Sequence, residues 1–377
     1  MAKSIGTPTK ISSGIKWTGL VLALFIGMIC YYNMHPAFGK RPSGERLERI
    51  KQSPQYRDGK FRNTHVTPQL TRPVRIALSD FLFHRSKDNI PKAPIPAEKI
   101  DWGRLPADQP SLVWLGHSTY LIHIDGKNIL VDPVLGESAS PIPGSARAFK
   151  GTTVTTAEAL PEIDYLFISH DHYDHMDYGT LVKIREKVGK VICSLGVGAH
   201  LEYWGYASDR IIEKDWWDEV NLGDGFRVIL TPARHFSGRS IWSANTLWTS
   251  YALKTPSMHL FLGGDSGYDT HFAEIGRRLG PFDLAILENG QYDLSWKFIH
   301  MQPEEVIQAT RDLGAKALLP VHSGKFSLAN HAWYEPLERI SALGTQHQVA
   351  VLTPAIGHIT NLSDKSLQLK PWWKQRE

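Results

Sequence analysis

The sequence predicts an α/β domain behind an N-terminal apolar segment. Short apolar runs of strand length recur from residue 111 onward, separated by turns of Gly, Asp and Pro. Stretches with helical periodicity lie between some of them, such as residues 303–312, where Pro303 stands at the first position and Glu304 and Glu305 sit near the positive end. Several runs end directly in His or Asp, where a strand end can hold several side chains in one cup.

Composition narrows the class. The chain has 377 residues, 42% of them hydrophobic, enough for one large domain or two small ones with a sizeable core. A net charge of +4 is too mild to argue for nucleic acid, and no basic patch interleaved with aromatics stands out, so nucleic acid is excluded as a partner. The charge is compatible with weak attraction to an anionic membrane. Of the two cysteines, Cys30 lies in the N-terminal apolar run and Cys193 in an expected strand, which supports neither a disulfide framework nor a multi-cysteine zinc site.

Residues 17–32 read WTGLVLALFIGMICYY, with Lys3, Lys10 and Lys16 before them and no acid. Such a segment is a signal peptide or a membrane anchor. No convincing small-x-small cleavage site follows, and Gly27-Met28-Ile29 is a poor lipidation box before Cys30, so the expectation is an uncleaved single-pass anchor. Trp17 and Tyr31-Tyr32 would sit at the two interfaces. Lys40, Arg41, Arg46, Arg49 and Lys51 outnumber the upstream lysines, which leans the following domain toward the cytoplasm. The expected organisation is a basic segment 1–16, a membrane anchor 17–32, a collar or linker 33–110 with a short helix over 73–83, a domain 111–362 and a tail 363–377.

The domain opens with strands over 111–115, 119–124 and 128–131, turned by Asp125-Gly126-Lys127. Gly116-His117-Ser118 and Asp132-Pro133 cap strand ends. Asp132 is read as holding a neighbouring loop, and His117 as a group behind the site or on the substrate. The Gly, Ser and Pro-rich loop 133–151 is expected to form one wall of the site mouth. Tyr165-Leu166-Phe167-Ile168 is a strand leading into Ser169-His170-Asp171-His172-Tyr173-Asp174-His175, and a helix from Met176 carries Leu181, Ile184 and Val188. His170 and His172, two apart on an extended strand end, point to the same side. Imidazole and carboxylate suit zinc and similar divalent ions.

Later strand ends deliver further candidates. A strand over 191–193, a helix over 197–204 and a strand pair spanning 216–230 lead to His235. Strands over 248–253 and 259–262 end in Gly263-Gly264-Asp265-Ser266-Gly267, where the glycines allow close approach to a bridging carboxylate. The strand over 282–286 leads into Glu288-Asn289-Gly290, and the strand over 317–321 ends at His322.

The spacing H-x-H-x-D-H in His170, His172, Asp174 and His175 resembles the signature of the metallo-β-lactamase superfamily. The resemblance implies an αββα metallo-β-lactamase sandwich and a hydrolase with two zinc ions. It assigns His170, His172 and His235 to one ion, Asp174, His175 and His322 to the other, and Asp265 between them. Gly280-Pro281-Phe282-Asp283-Leu284-Ala285, Gly290-Gln291-Tyr292, Ile299-His300-Met301-Gln302-Pro303-Glu304-Glu305, His322-Ser323-Gly324-Lys325-Phe326-Ser327-Leu328-Ala329-Asn330 and Glu335-Pro336 look like the N-acylphosphatidylethanolamine phospholipase D family, from about Leu112 to Ile340.

That second resemblance implies hydrolysis of a phospholipid phosphodiester by a water held between the metals. Asp174 would act as ligand and proton acceptor, and His300 as a catalytic aid. A phospholipid substrate, a membrane partner and a homodimer are compatible with it. Bacterial relatives of unknown substrate carry the same motifs, so two alternatives stay open. The same dinuclear site would act on a small-molecule phosphodiester or a sugar-phosphate lactone, or the chain would be a non-catalytic, membrane-tethered metal-binding protein. Trp296-Lys297-Phe298 is read equally as a lipid contact or as core.

Overall fold

The structure, a computed structural model, describes residues 17, 27, 31, 35–142, 144–239, 244–364 and 370–374. The basic segment 1–16, nearly all of the anchor expected over 17–32 and part of the tail 363–377 lie outside the described residues. No helix among the described residues is long and apolar enough to cross a membrane.

The collar packs on the domain. It contains α1 (Gly44–Lys51), a hairpin of β1 (Tyr56–Arg57) and β2 (Lys60–Phe61), and α2 (Val74–Phe83). Ile50 and Phe61 are buried against Leu195, Trp216, Leu247 and Trp248. Arg46 and Arg49 both reach Glu213, at 2.6 and 2.9 Å. Leu47, Ile50, Tyr56 and Phe61 are too scattered to show a period in the sequence, yet each finds an apolar partner on the domain surface.

Two seven-stranded sheets form the domain. The first contains β3 (Ser111–Trp114), β4 (Tyr120–Ile124), β5 (Lys127–Val131), β6 (Ile163–Ile168), β7 (Val188–Ser194), β8 (Ile211–Lys214) and, at its edge beside β3, β16 (Ile359–Asn361). Strands β3 to β5 are an antiparallel meander, with Asp125 and Gly126 both left-handed at the β4–β5 turn, and β5 to β8 run parallel. The second runs β15 (Ala350–Val351), β14 (Ala317–Val321), β13 (Leu284–Glu288), β12 (His259–Leu262), β11 (Ser250–Lys254), β10 (Phe226–Thr231) and β9 (Glu219–Gly223), antiparallel from β9 to β12 and parallel from β12 to β15.

The sheets pack face to face. Tyr165 donates its hydroxyl to Leu222 O at 3.1 Å, Phe167 meets Tyr251 edge-on at 5.0 Å, and the Tyr251 hydroxyl reaches Ile168 O. Leu181 and Ile184 of α3 (Tyr178–Ile184) and Leu201 of α4 (Gly198–Tyr203) join the core of the first sheet. α5 (His271–Leu279), α6 (Pro303–Asp312) and α7 (Glu335–His347) cover the second sheet, burying Phe272, Val306, Leu313 and Ile340 against Phe261, Phe282, Ala285 and Leu318. The layer order is α/β/β/α.

Several elements depart from the sequence reading. Val188 opens β7 instead of continuing the helix after Met176, because α3 passes into a 3₁₀ turn over Arg185–Lys187 and the chain turns back to the sheet. α1, α5, α7, β1, β2, β8, β15 and β16 lie outside the elements expected from the sequence, and the loop 133–151, expected as a wall of the site mouth, instead packs Val134 and Ala139 against Phe326.

Replacing Phe167 by Ala removes a fully buried ring at the sheet interface. We expect a loss of about 3–5 kcal/mol of unfolding free energy, read as a lower denaturant midpoint in equilibrium melts.

Candidate metal centre

The C-terminal ends of seven strands meet at one rim. His117 follows β3, Asp132 follows β5, residues 169–175 follow β6, and His235 follows β10. Asp265 follows β12, Glu288 ends β13 and His322 follows β14. The parallel runs in both sheets make this convergence: strands of one direction deliver their C-terminal turns to the same edge.

Candidate ligand atoms of His170, His172 and His235 lie within 4.8 Å of one another, as do those of His117, Asp174, His175 and His322. Asp265 joins them. Its Oδ2 is 3.1 Å from His175 Nε2, 3.7 Å from His235 Nε2 and 3.9 Å from His170 Nε2, and its Oδ1 is 3.3 Å from His322 Nδ1. The residues that sequence reasoning named for two ions therefore fall into two adjacent groups with Asp265 between. His117 stands nearer than expected: it is fully buried inside the second group, with Nε2 3.0 Å from Asp174 Oδ2.

The ring orientations are fixed from behind. Asp132 accepts from Ser169 N at 2.8 Å and Ser169 Oγ at 2.6 Å, and its Oδ2 is 2.9 Å from His175 Nδ1, which turns His175 Nε2 toward Asp265. Its expected part as a loop-holder is thus joined by a contact to an imidazole. His235 Nδ1 lies 2.9 Å from Ile299 O, so that nitrogen donates and Nε2 keeps its lone pair for the cluster. His117, Asp132 and His322 all have left-handed backbone, with φ of 52°, 43° and 66°. Such φ values are sparsely populated by non-glycine residues, and here they turn three side chains inward. At Gly264, also left-handed, an added Cβ would stand 2.6 Å from Ser169 Cβ, so only glycine lets the Asp265 turn approach the histidine turn this closely.

Glu288 is the site residue that sequence reasoning passed over. It is buried and accepts from Met301 N at 2.9 Å and Ser266 N at 3.2 Å, and its Oε2 is 2.6 Å from His300 Nδ1. The available signal was an acid closing an apolar strand immediately before Asn289-Gly290, the same kind of position as Asp265.

Electrostatics favour a cation. Burial first, and then neighbouring imidazoles, push His170 well below the usual histidine range, and burial likewise depresses His235 and His322 despite the pull of Asp265. Neutral imidazoles are the form that ligates, whereas His175 runs the other way: burial lowers it, but Asp265 and Asp174 outweigh burial and raise it well above the usual range. Burial works against ionised Asp174 and Asp265, yet His175 and the other imidazoles outweigh it and hold both carboxylates below their usual range. His175 Nε2, Asp265 Oδ1 and His117 Nδ1 are buried without a hydrogen-bond partner among the described residues. The His175 Nε2–Asp265 contact is close but not aligned as a hydrogen bond. Orphaned buried atoms of this kind, inside a set of imidazole nitrogens and carboxylate oxygens, fit divalent metal ions.

The comparisons with known proteins agree with this geometry. Residues 127–323, more than half of the chain, match the description "Beta-lactamase superfamily domain". The chain belongs to that superfamily. As a metallo-β-lactamase superfamily member it is a metal-dependent hydrolase. An uncharacterized protein of Mycobacterium tuberculosis is 39% identical over 333 residues, covering 86% of this chain and 88% of that one. N-acyl-phosphatidylethanolamine-hydrolyzing phospholipase D 1 of Caenorhabditis elegans is 28% identical over 269 residues, 67% of this chain and 76% of that one. The solved structure of a metallo hydrolase from Ignicoccus hospitalis superposes with a TM-score of 0.52 at 21% identity, over 68% of this chain and 100% of that one, and shares the fold.

A cleft of about 260 Å³ opens onto this superfamily site. His172, Asp174, His235, Asp265, His300 and His322 form its floor, and Leu70, Phe236, Trp296, Ile299 and Leu328 form apolar walls. Trp296 thus lines the cleft, whereas Phe298 stacks under the Arg234 guanidinium at 4.5 Å, outside the lining.

Asp265→Asn is expected to lose most bound divalent metal while His172→Ala loses about half. Elemental analysis of purified protein checks both, because Asp265 faces both groups and His172 only one.

Proposed function

We propose that this hydrolase holds two zinc ions and cleaves the phosphodiester of an N-acylphosphatidylethanolamine-type phospholipid, the phospholipase D reaction. The observation that carries the reading is His300, a histidine on the cleft floor that is held by a buried acid and stands beside both candidate ligand groups. Its ring is 5.1 Å from that of His235 and 5.3 Å from that of His322. The similarity to the Caenorhabditis elegans phospholipase supports the lipid.

Zinc ions bound there would supply Lewis acidity and a water acidified to near neutral pH. His170, His172 and His235 would hold one ion, and Asp174, His175 and His322 the other, with Asp265 shared. Asp174 would take the proton of the attacking water. Burial opposes charge on His300, but Glu288 outweighs it and raises the imidazole to about 9; in this reading His300 would donate a proton to the leaving oxygen. Glu288 accepts from Nδ1 and leaves the Nε2 edge for the substrate.

The surroundings suit a lipid. Leu70 on the cleft wall adjoins Thr71, which bonds to Leu294 and Ser295 backbone carbonyls, and Leu294 is exposed. α2 exposes Val74, Leu78, Leu82 and Phe83 among the exposed cations Arg72, Arg75 and Lys87, the pattern of an interfacial helix beside anionic headgroups. Residues 17–32 would tether the domain as a single-pass anchor, leaning to the cytoplasmic side.

The test is incubation of purified protein with a total lipid extract, read by mass spectrometry against His172→Ala. A rise of phosphatidic acid and N-acylethanolamine in the active sample alone is the expected result. An unchanged lipidome together with hydrolysis of bis-p-nitrophenyl phosphate would overturn the lipid assignment and favour a small phosphodiester. Glu288→Gln should keep its metal and lower kcat by about 100-fold or more, the usual size of a general-acid contribution.

A further inference from the structure

We propose that residues 36–40, just beyond the N-terminal apolar segment, are a strap that sets the geometry of the metal-binding turn through Arg239 and His200. The proposal rests on the metal-centre reading and adds to it a set of positioning residues outside the cluster.

Arg239 is buried, with 3% of its surface exposed, and its hydrogen bonds go to backbone carbonyls. Nε and Nη2 donate to Ala37 O at 2.9 and 2.7 Å. Nη1 donates to Asp171 O and to Met176 O, both at 2.7 Å. Those two carbonyls bracket His172, Asp174 and His175, so one guanidinium spans the turn and ties it to the strap. Tyr173, inside the turn, lies under the guanidinium at 4.3 Å and Trp204 at 5.0 Å, and Tyr173 donates its hydroxyl to the Arg239 carbonyl.

A second tie runs parallel. Lys40 N donates to His200 Nδ1 at 2.9 Å, which makes Nε2 the protonated nitrogen, and Nε2 lies 3.3 Å from Asp171 Oδ2. The other oxygen of Asp171 accepts from Gly238 N at 2.7 Å. Asp171 separates His170 from His172, so its side chain fixes the spacing between two candidate ligands. Gly39 makes the approach possible: its φ is 72°, and an added Cβ would stand 2.0 Å from His200 Nδ1. Trp204 closes the strap by donating Nε1 to Pro36 O at 2.9 Å.

Burying a guanidinium against carbonyls and ring faces is costly, and the same tie to Ala37 could be made by a neutral donor. The planar fork is what the site uses, since it reaches carbonyls on both sides at fixed angles. An ammonium at this position keeps the charge and loses the span.

The test uses full-length protein in detergent, loaded with zinc, and follows zinc transfer to a chromogenic chelator at neutral pH. The variants are Gly39→Val, which disturbs the strap where it meets His200, Trp204→Phe, which removes the bond to Pro36 O and keeps a ring beside Arg239, and Arg239→Lys. Gly39→Val and Arg239→Lys should release zinc about tenfold faster or more, and Trp204→Phe by a smaller factor, with far-UV circular dichroism at saturating zinc unchanged. Release at the parent rate from folded Gly39→Val and Arg239→Lys would overturn the strap. Unfolding of the strap variants even at saturating zinc would also overturn it, because residues 36–40 would then brace the whole domain and not the turn. A parent protein that takes up no divalent metal would overturn the metal-centre reading itself, which separates that failure from a failure of the strap.

Discussion

The crowding of imidazoles and carboxylates at the sheet rim is the constraint on which the rest of the structure depends. His170, His175, His235 and His322 are almost completely buried, together with Asp265, in a space where their candidate ligand atoms nearly touch. Lone pairs facing lone pairs at this density are unfavourable without positive charge among them. The surrounding polypeptide is arranged to keep them there. Asp132, Ser169 and Ile299 O hold the rings from behind, and left-handed residues turn them inward. A glycine at 264 lets the two loops meet.

Much of this was legible because the informative residues sit at strand ends. Four candidate ligands fall within six positions after β6, and that spacing marks the metal-binding turn in the sequence itself. His235, Asp265 and His322 each follow a strand whose apolar run is visible in the sequence, and the structure brings all of them to the same place. α6, marked by Pro303 and a pair of acids in its first turn, and β14 have the bounds their sequence suggested. Periodicity and turn chemistry are local properties, and these elements are the ones that local properties decide.

Other parts needed tertiary contact to be seen. α7 covers the second sheet through Ile340, but Gly344 and several polar residues dilute its pattern. The collar hid its fold because Ile50 and Phe61 are isolated apolar residues in a charged stretch, and only the domain surface makes them a core. Arg239 and His200 carry no motif at all. A lone arginine after a Ser-Gly pair reads as a surface cation, and its burial follows from three carbonyls contributed by segments far apart in sequence. Glu288 was visible at its strand end, but its contact with His300 arises only when the loop after β13 folds back.

The division of the rim between two sheets has a consequence for how the molecule matures. His117, Asp132 and the turn after β6 come from the first sheet, whereas His235, Asp265, Glu288 and His322 come from the second. Neither half of the chain holds a complete coordination sphere, and the contributing positions span some two hundred residues from His117 to His322. The candidate ligand set is therefore complete only once both halves have docked. Ion binding and the docking of the two sheets are thereby thermodynamically linked, because a cation bound to ligands from both sheets favours the closed sandwich over its separated halves.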